Sequence, residues 1–247
     1  MDKHAIQELY EQESSYWWHK GRRIVMESLL DKAIGKGAGL KILDVGCGTG
    51  ANLTLFRKFG KVSGVDASLE AVEYCRQRGF KDIAQGRAEV LSFPDRAFDM
   101  VTAVELLEHM KNDEEVLKEF SRVLKSEGKL FLTVPAYQFL WTEHDEALEH
   151  VKRYTLGELK EKIMRAGFEI EKGTYMVTFT SPLFIYRVFK ELFRRKEKPS
   201  KTSYVTLPKF LNTILVYPFV WEAQILRYAN LPFGTSVLCI ARKREGL

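Results

Sequence analysis

A short apolar run, Lys41–Val45, ends in Gly46-x-Gly48-x-Gly50, with Asp44 just ahead of the first glycine. Glycine lets a backbone turn sharply and lets a ligand approach with no Cβ in the way. Twenty residues after Gly46, Asp66 closes a second apolar run. A carboxylate there can accept both hydroxyl hydrogens of a ribose. A dinucleotide turn wants Gly-x-Gly-x-x-Gly, so that a helix N-terminus meets pyrophosphate. The tighter spacing found here suits a nucleoside without phosphates.

Two later clusters carry titratable groups. Glu105, Glu108 and His109 follow a fourth apolar run. His144, Asp145, His150 and Arg153 follow a fifth. Groups of this kind beyond a strand's carboxyl end can bind or deprotonate an acceptor, or knit a loop together by hydrogen bonds. His109, His144 and His150 are the candidate bases.

The elements that must position these groups alternate. Lys41–Val45, Lys61–Val65, Asp82–Gln85, Phe98–Val104, Lys129–Val134, Phe168–Tyr175 and Ser236–Ala241 read as strands. Ala51–Phe59, Leu69–Arg78, Asn112–Lys125 and Leu156–Ala166 read as helices, the last with Thr155 as N-cap. Val116, Leu117, Phe120, Val123 and Leu124 form one apolar stripe, and Gly128 is the expected stop. Regular alternation implies an α/β fold, a doubly wound and mostly parallel sheet with ligands at the carboxyl ends of its strands.

The motifs over residues 40–135 resemble the class I methyltransferases that use S-adenosylmethionine (SAM). Leu43–Gly50 matches that family's first motif and Gly64-Val65-Asp66 its second. Gly86–Phe93 and Phe98–Val101 match the next two. The resemblance implies a seven-stranded sheet, with Gly46, Gly48 and Gly50 facing the methionine moiety and Asp66 on the ribose. It places the Ala88 backbone on adenine and the Val104 carbonyl on the methionine ammonium. Arg22 or Arg23 would neutralise the cofactor's carboxylate. Arg87 departs from the family, which has an acid there, and a guanidinium cannot accept from the adenine amino group. Glu105-x-x-Glu108-His109 resembles ubiquinone-type O-methyltransferases, in which these side chains can hold a divalent cation such as Mg²⁺; the plainer reading is a family turn. Trp17–Arg23, Trp141–Asp145 and His150–Tyr154 resemble a bacterial and archaeal subgroup linked with glycan or lipid modification.

The sequence divides into residues 1–38 as an N-terminal helical lid, 39–175 as the SAM-binding core, 176–233 as a helical, aromatic insertion, and 234–247 as the core's final strand. Hydrophobic residues make up 45% of the 247, enough for a sizeable core, and the net charge of +5 does not by itself call for nucleic acid. Between Tyr186 and Lys201, seven basic residues face Glu191 and Glu197, next to apolar Leu183–Phe189. That segment suits an anionic lipid surface, a lipid-linked acceptor or a second copy of the chain. Cys47, Cys75 and Cys239 have no ligand spacing and read as free thiols. The N-terminus does not read as a signal peptide, and uncharged runs stay short of the ~20 residues a spanning helix needs. These features imply a cytoplasmic protein, at most peripheral at a membrane. The expected reaction is methyl transfer to an oxygen, less readily a nitrogen, of a small or lipid-linked acceptor. A non-catalytic SAM-binding scaffold and a nicotinamide-dependent oxidoreductase are the alternatives.

Overall fold

The computed structural model describes residues 3–192 and 207–245. Seven strands, β1 (Leu40–Val45), β2 (Gly60–Asp66), β3 (Ile83–Gln85), β4 (Phe98–Val104), β5 (Leu124–Pro135), β6 (Phe168–Met176) and β7 (Ser236–Lys243), join in one sheet. Their order is β3-β2-β1-β4-β5-β7-β6. The pairs from β3 to β5 are parallel, while β7 runs antiparallel to both β5 and β6. This is the mostly parallel, seven-stranded sheet of the class I methyltransferase fold.

Ten helices are described: α1 (Lys3–Gln12), α2 (Trp17–Ala33), α3 (Ala51–Phe56), α4 (Leu69–Gln77), α5 (Asp113–Val123), α6 (Glu143–Ala147), α7 (Leu156–Arg165), α8 (Ser181–Leu192), α9 (Lys209–Ile214) and α10 (Tyr217–Tyr228). The strands sort them onto two faces by strict alternation. Leu43, Val101, Leu130 and Leu132 point toward Val116, Leu117 and Phe120 of α5 and Leu159 and Ile163 of α7. Ile42, Met100 and Phe131 point the other way, toward Val25, Met26 and Leu29 of α2, Phe56 of α3 and Phe219 of α10. Each such buried side chain contributes about 1.5–3 kcal/mol against conformational entropy. Gly21 lets α2 and α10 touch, since a Cβ there would lie 2.3 Å from the Phe219 ring.

Local chemistry sets the helix starts. Ser68 and Thr155 each accept from a backbone N–H three residues on, as N-caps of α4 and α7. The expected stop of α5 at Gly128 is corrected. The chain turns extended at Leu124, and Gly128 lies inside β5, where a Cβ would meet Lys125 O at 2.9 Å. Residues 176–233 contribute α8, α9 and α10, but Arg194, Arg195, Lys196, Lys198 and Lys201 of the basic cluster lie outside the described residues. Among the described residues, no helix is long and apolar enough to cross a membrane.

Candidate active site

The parallel strands all present their carboxyl ends to one edge of the sheet, and the sequence-predicted groups gather there. Beyond β1, Gly46, Gly48 and Gly50 all have positive φ, which a side chain would strain. A Cβ on Gly48 would enter open space, so the turn leaves a cradle that a side chain would fill. Gly48 N–H donates to Asp66 Oδ2 at 2.8 Å, and Ser68 N–H donates to Oδ1 at 2.9 Å. Burial raises the Asp66 pKa, and those two N–H groups oppose the rise. Carboxylate oxygens keep further lone pairs, so ribose hydroxyls can still donate to them. Asp44 beneath is buried, accepts from Thr102 Oγ1 at 2.6 Å, and is pushed up to about 7 by burial. These residues fit a SAM nucleoside. Ala88 is buried within the short Arg87–Val90 bridge, and Arg87 is exposed and paired with Glu89 at 3.1 Å.

The end of β4 forms the next wall. After Val104 the backbone kinks at Glu105, a non-glycine residue with φ of 54°. Arg22 Nη2 reaches Glu105 Oε1 at 2.6 Å and donates to Thr133 Oγ1 at 3.2 Å. Arg22 is buried, and its Nε has no partner among the described residues. Arg23 turns away and donates to the backbone carbonyl of Glu13 at 2.5 Å. Of the two arginines, it is Arg22 that stands at the strand end.

A third group closes the site. Glu108 is completely buried, and neither carboxylate oxygen has a hydrogen-bond partner among the described residues. Burial, then the charge of Glu105, holds its pKa well above the usual range. The ligating atoms of Glu108, His109 and His150 all lie within 4.8 Å of one another. The expected trio of Glu105, Glu108 and His109 is thereby revised. Glu105 is engaged by Arg22 and Thr133, and His150 stands with the other two. The His109 and His150 rings meet edge to face at 4.7 Å. His109 is held down to about 4, first by burial and then by His150.

His150 is itself oriented. Its Nδ1 lies 2.8 Å from Asp145 Oδ1, and the same carboxylate takes Arg153 Nε and Nη2, each at 2.8 Å. Despite burial, these partners hold the Asp145 carboxyl far below its ordinary range. Thr142 N–H donates to Asp145 at 2.8 Å, closing the first turn of α6. His144, the remaining histidine candidate, lies on α6 with its charge felt by His19 of α2, whose own pKa burial lowers to about 3.

Sequence reasoning missed Glu13 and Arg78. Glu13, in the loop after α1, is buried, accepts from Thr49 Oγ1 in the glycine turn, and pairs with Arg78 at 2.6 Å. Arg78 Nε donates to Thr49 O at 2.8 Å, and Tyr10 stacks on Tyr74 with ring centroids 4.3 Å apart. The N-terminal helices are thus fastened to the glycine turn itself. In the sequence Glu13 is one of three closely spaced glutamates, with Glu8 and Glu11, and nothing local singles it out.

Residues 43–132 match the methyltransferase domain family. About a third of the chain thus carries a methyltransferase domain. It is 33% identical to the uncharacterized methyltransferase YcgJ of Bacillus subtilis over 46% of this chain and 47% of that protein. It is 36% identical to the ubiquinone biosynthesis O-methyltransferase of Xanthomonas oryzae pv. oryzae over 39% of this chain and 43% of that enzyme. The matches therefore span about half the length of these curated relatives. Among solved structures, a putative methyltransferase of Haloferax volcanii, in complex with the Trm112 methyltransferase activator, superposes with a TM-score of 0.62 at 19% identity. That match covers 98% of this chain and 94% of that one and supports the fold alone. SAM, rather than a nicotinamide, is the cofactor expected of the methyltransferase domain over residues 43–132.

Proposed function

We propose that this methyltransferase moves the SAM methyl group to an oxygen of a small or lipid-linked acceptor, with His150 as the base. The observation that carries this reading is the buried Asp145 carboxylate on His150 Nδ1. An acceptor at Nδ1 fixes the imidazole with its basic nitrogen at Nε2, on a ring packed against His109. SAM supplies a methyl group already activated by the sulfonium charge. What remains for the protein is orientation, and removal of the acceptor's proton. Asp66 holds the ribose, the Gly48 cradle faces the methionine end, and Arg22 offsets that end's carboxylate. Arg153 keeps Asp145 ionised, and Asp145 in turn stabilises the imidazolium that forms on proton uptake. Half-buried His109 stays neutral and adds no opposing charge beside it.

A second reading has its own observation. A buried carboxylate with neither oxygen satisfied is costly unless it is protonated or meets a cation. With Glu108, His109 and His150 as ligands, two imidazoles and one carboxylate suit a transition metal better than Mg²⁺. Elemental analysis of the purified protein, and turnover after exhaustive chelation, decide between the base and the ion.

The test of the main reading is a methyl-transfer screen with labelled SAM across phenols, sugars and polyprenyl acceptors. Transfer to a hydroxyl that is lost in His150→Gln supports it. Tight SAM binding with no transfer to any class would favour a non-catalytic scaffold.

A further inference from the structure

We infer that α9 and α10 form a lipid-docking face that sits on an anionic membrane surface. Phe210, Ile214, Tyr217, Trp221, Ile225 and Tyr228 are all exposed. Their spacing is four, three, four, four and three, the repeat of one helical face. Leu215 and Val216, which join the two helices, both keep right-handed helical backbone, so the stripe passes from one helix to the next. Trp221 is 71% and Tyr228 82% exposed.

The opposite side of α10 is fully used. Phe219, Ala223 and Leu226 are buried in the cluster shared with α2. Glu222 turns inward and accepts from the backbone N–H groups of Val177 and Thr178. It is the sole acidic residue between Leu207 and Phe233, so neither helix contributes a negative charge to the stripe.

The occupant follows from the chemistry of the face and its rim. Four of the six side chains are aromatic, and Tyr and Trp combine an apolar body with a polar tip that suits the headgroup boundary of a bilayer. At the C-terminal end of α10, Lys32 lies over the Tyr228 ring at 4.8 Å, and Lys172 donates to the carbonyls of Leu226 and Ala229. Arg227 stands beside them, and Asp31 is its ion-pair partner at 3.2 Å. Three cations against one anion leave that end positive, as does the chain's net charge of +5. Stable surface attachment takes two signals, and an apolar stripe with a basic end supplies both. This inference does not depend on the acceptor's identity or on the base.

The experiment is sedimentation of the full chain with neutral phosphatidylcholine vesicles and with vesicles carrying anionic phosphatidylglycerol. The expected result is binding to the anionic vesicles that falls at least tenfold on raising salt from 0.1 to 0.5 M. Trp221→Ser/Tyr228→Ser should weaken that binding at least tenfold, with circular dichroism and SAM affinity unchanged. Trp221→Phe should keep most of it, and Val90→Ser, at an exposed apolar site elsewhere, should keep all of it. Negligible binding to both vesicle types overturns the inference. So does equal loss in Val90→Ser. A concentration-dependent dimer in ultracentrifugation that Trp221→Ser dissolves assigns the face to a second copy and overturns it as well.

Discussion

Arg22 on α2 is ion-paired at 2.6 Å with Glu105 at the end of β4, so an N-terminal helix is electrically tied to the wall of the site. Removing Arg22 leaves Glu105 beside the buried Glu108 without its ion-pair partner. Arg22→Ala should cost about 2–3 kcal/mol of stability, below the ~3–5 kcal/mol of a fully buried pair because Glu105 is 27% exposed. Chemical denaturation measures it, and Glu105→Gln should cost less. SAM affinity should fall in Arg22→Ala and hold in Arg23→Ala, whose guanidinium faces Glu13.

Asp66→Ala should weaken SAM or S-adenosylhomocysteine binding by roughly 1.5–3 kcal/mol, since a charge-assisted contact to both ribose hydroxyls is lost. Calorimetry reads this directly. Affinity unchanged in a folded variant would take Asp66 out of the site.

Asp145→Asn should lower the turnover number by about 10²–10⁴, the usual worth of a positioned base. SAM affinity should stay the same, because Asp145 touches His150 and Arg153 rather than the glycine turn. A loss that appears in cofactor affinity instead would make the contact a clasp of the loop.

His109 gives a pH signature. An unfolded histidine takes up a proton near pH 6.5, whereas burial delays it in the native protein to about 4. The unfolded state therefore binds the extra proton between those values, and stability drops as pH falls from 6.5 to 4. With its partial exposure allowed for, this amounts to about 1–2 kcal/mol. His109→Gln should lose less over that window, measured as the thermal midpoint of each protein.

The sheet was legible because its strands alternate between two buried faces, and β4 was bounded correctly at both ends. The glycine turn and Asp66 were legible because one strand and one turn carry them. The site's other half was less so. His150 meets Glu108 and His109 only because β5 returns the chain to the same sheet edge, a fact of topology and not of spacing. Glu13 and Arg78, 65 residues apart, likewise met only in three dimensions. Glu105 was read with its sequence neighbours because nothing local announces that Arg22 claims it.

β7 has a consequence for how the molecule is made. It lies in the interior of the sheet, yet it is the last described strand to leave the ribosome, after α8, α9 and α10. Among the described residues β6 pairs with no other strand, so until β7 arrives β6 has no described strand to bond to, and β5 keeps an open edge. Open strand edges are sites of wrong pairing between chains. A chain halted after α10 would leave open both edges that β7 covers, one on β5 and one on β6, and folding is expected to close in one late step that joins β5, β7 and β6 together.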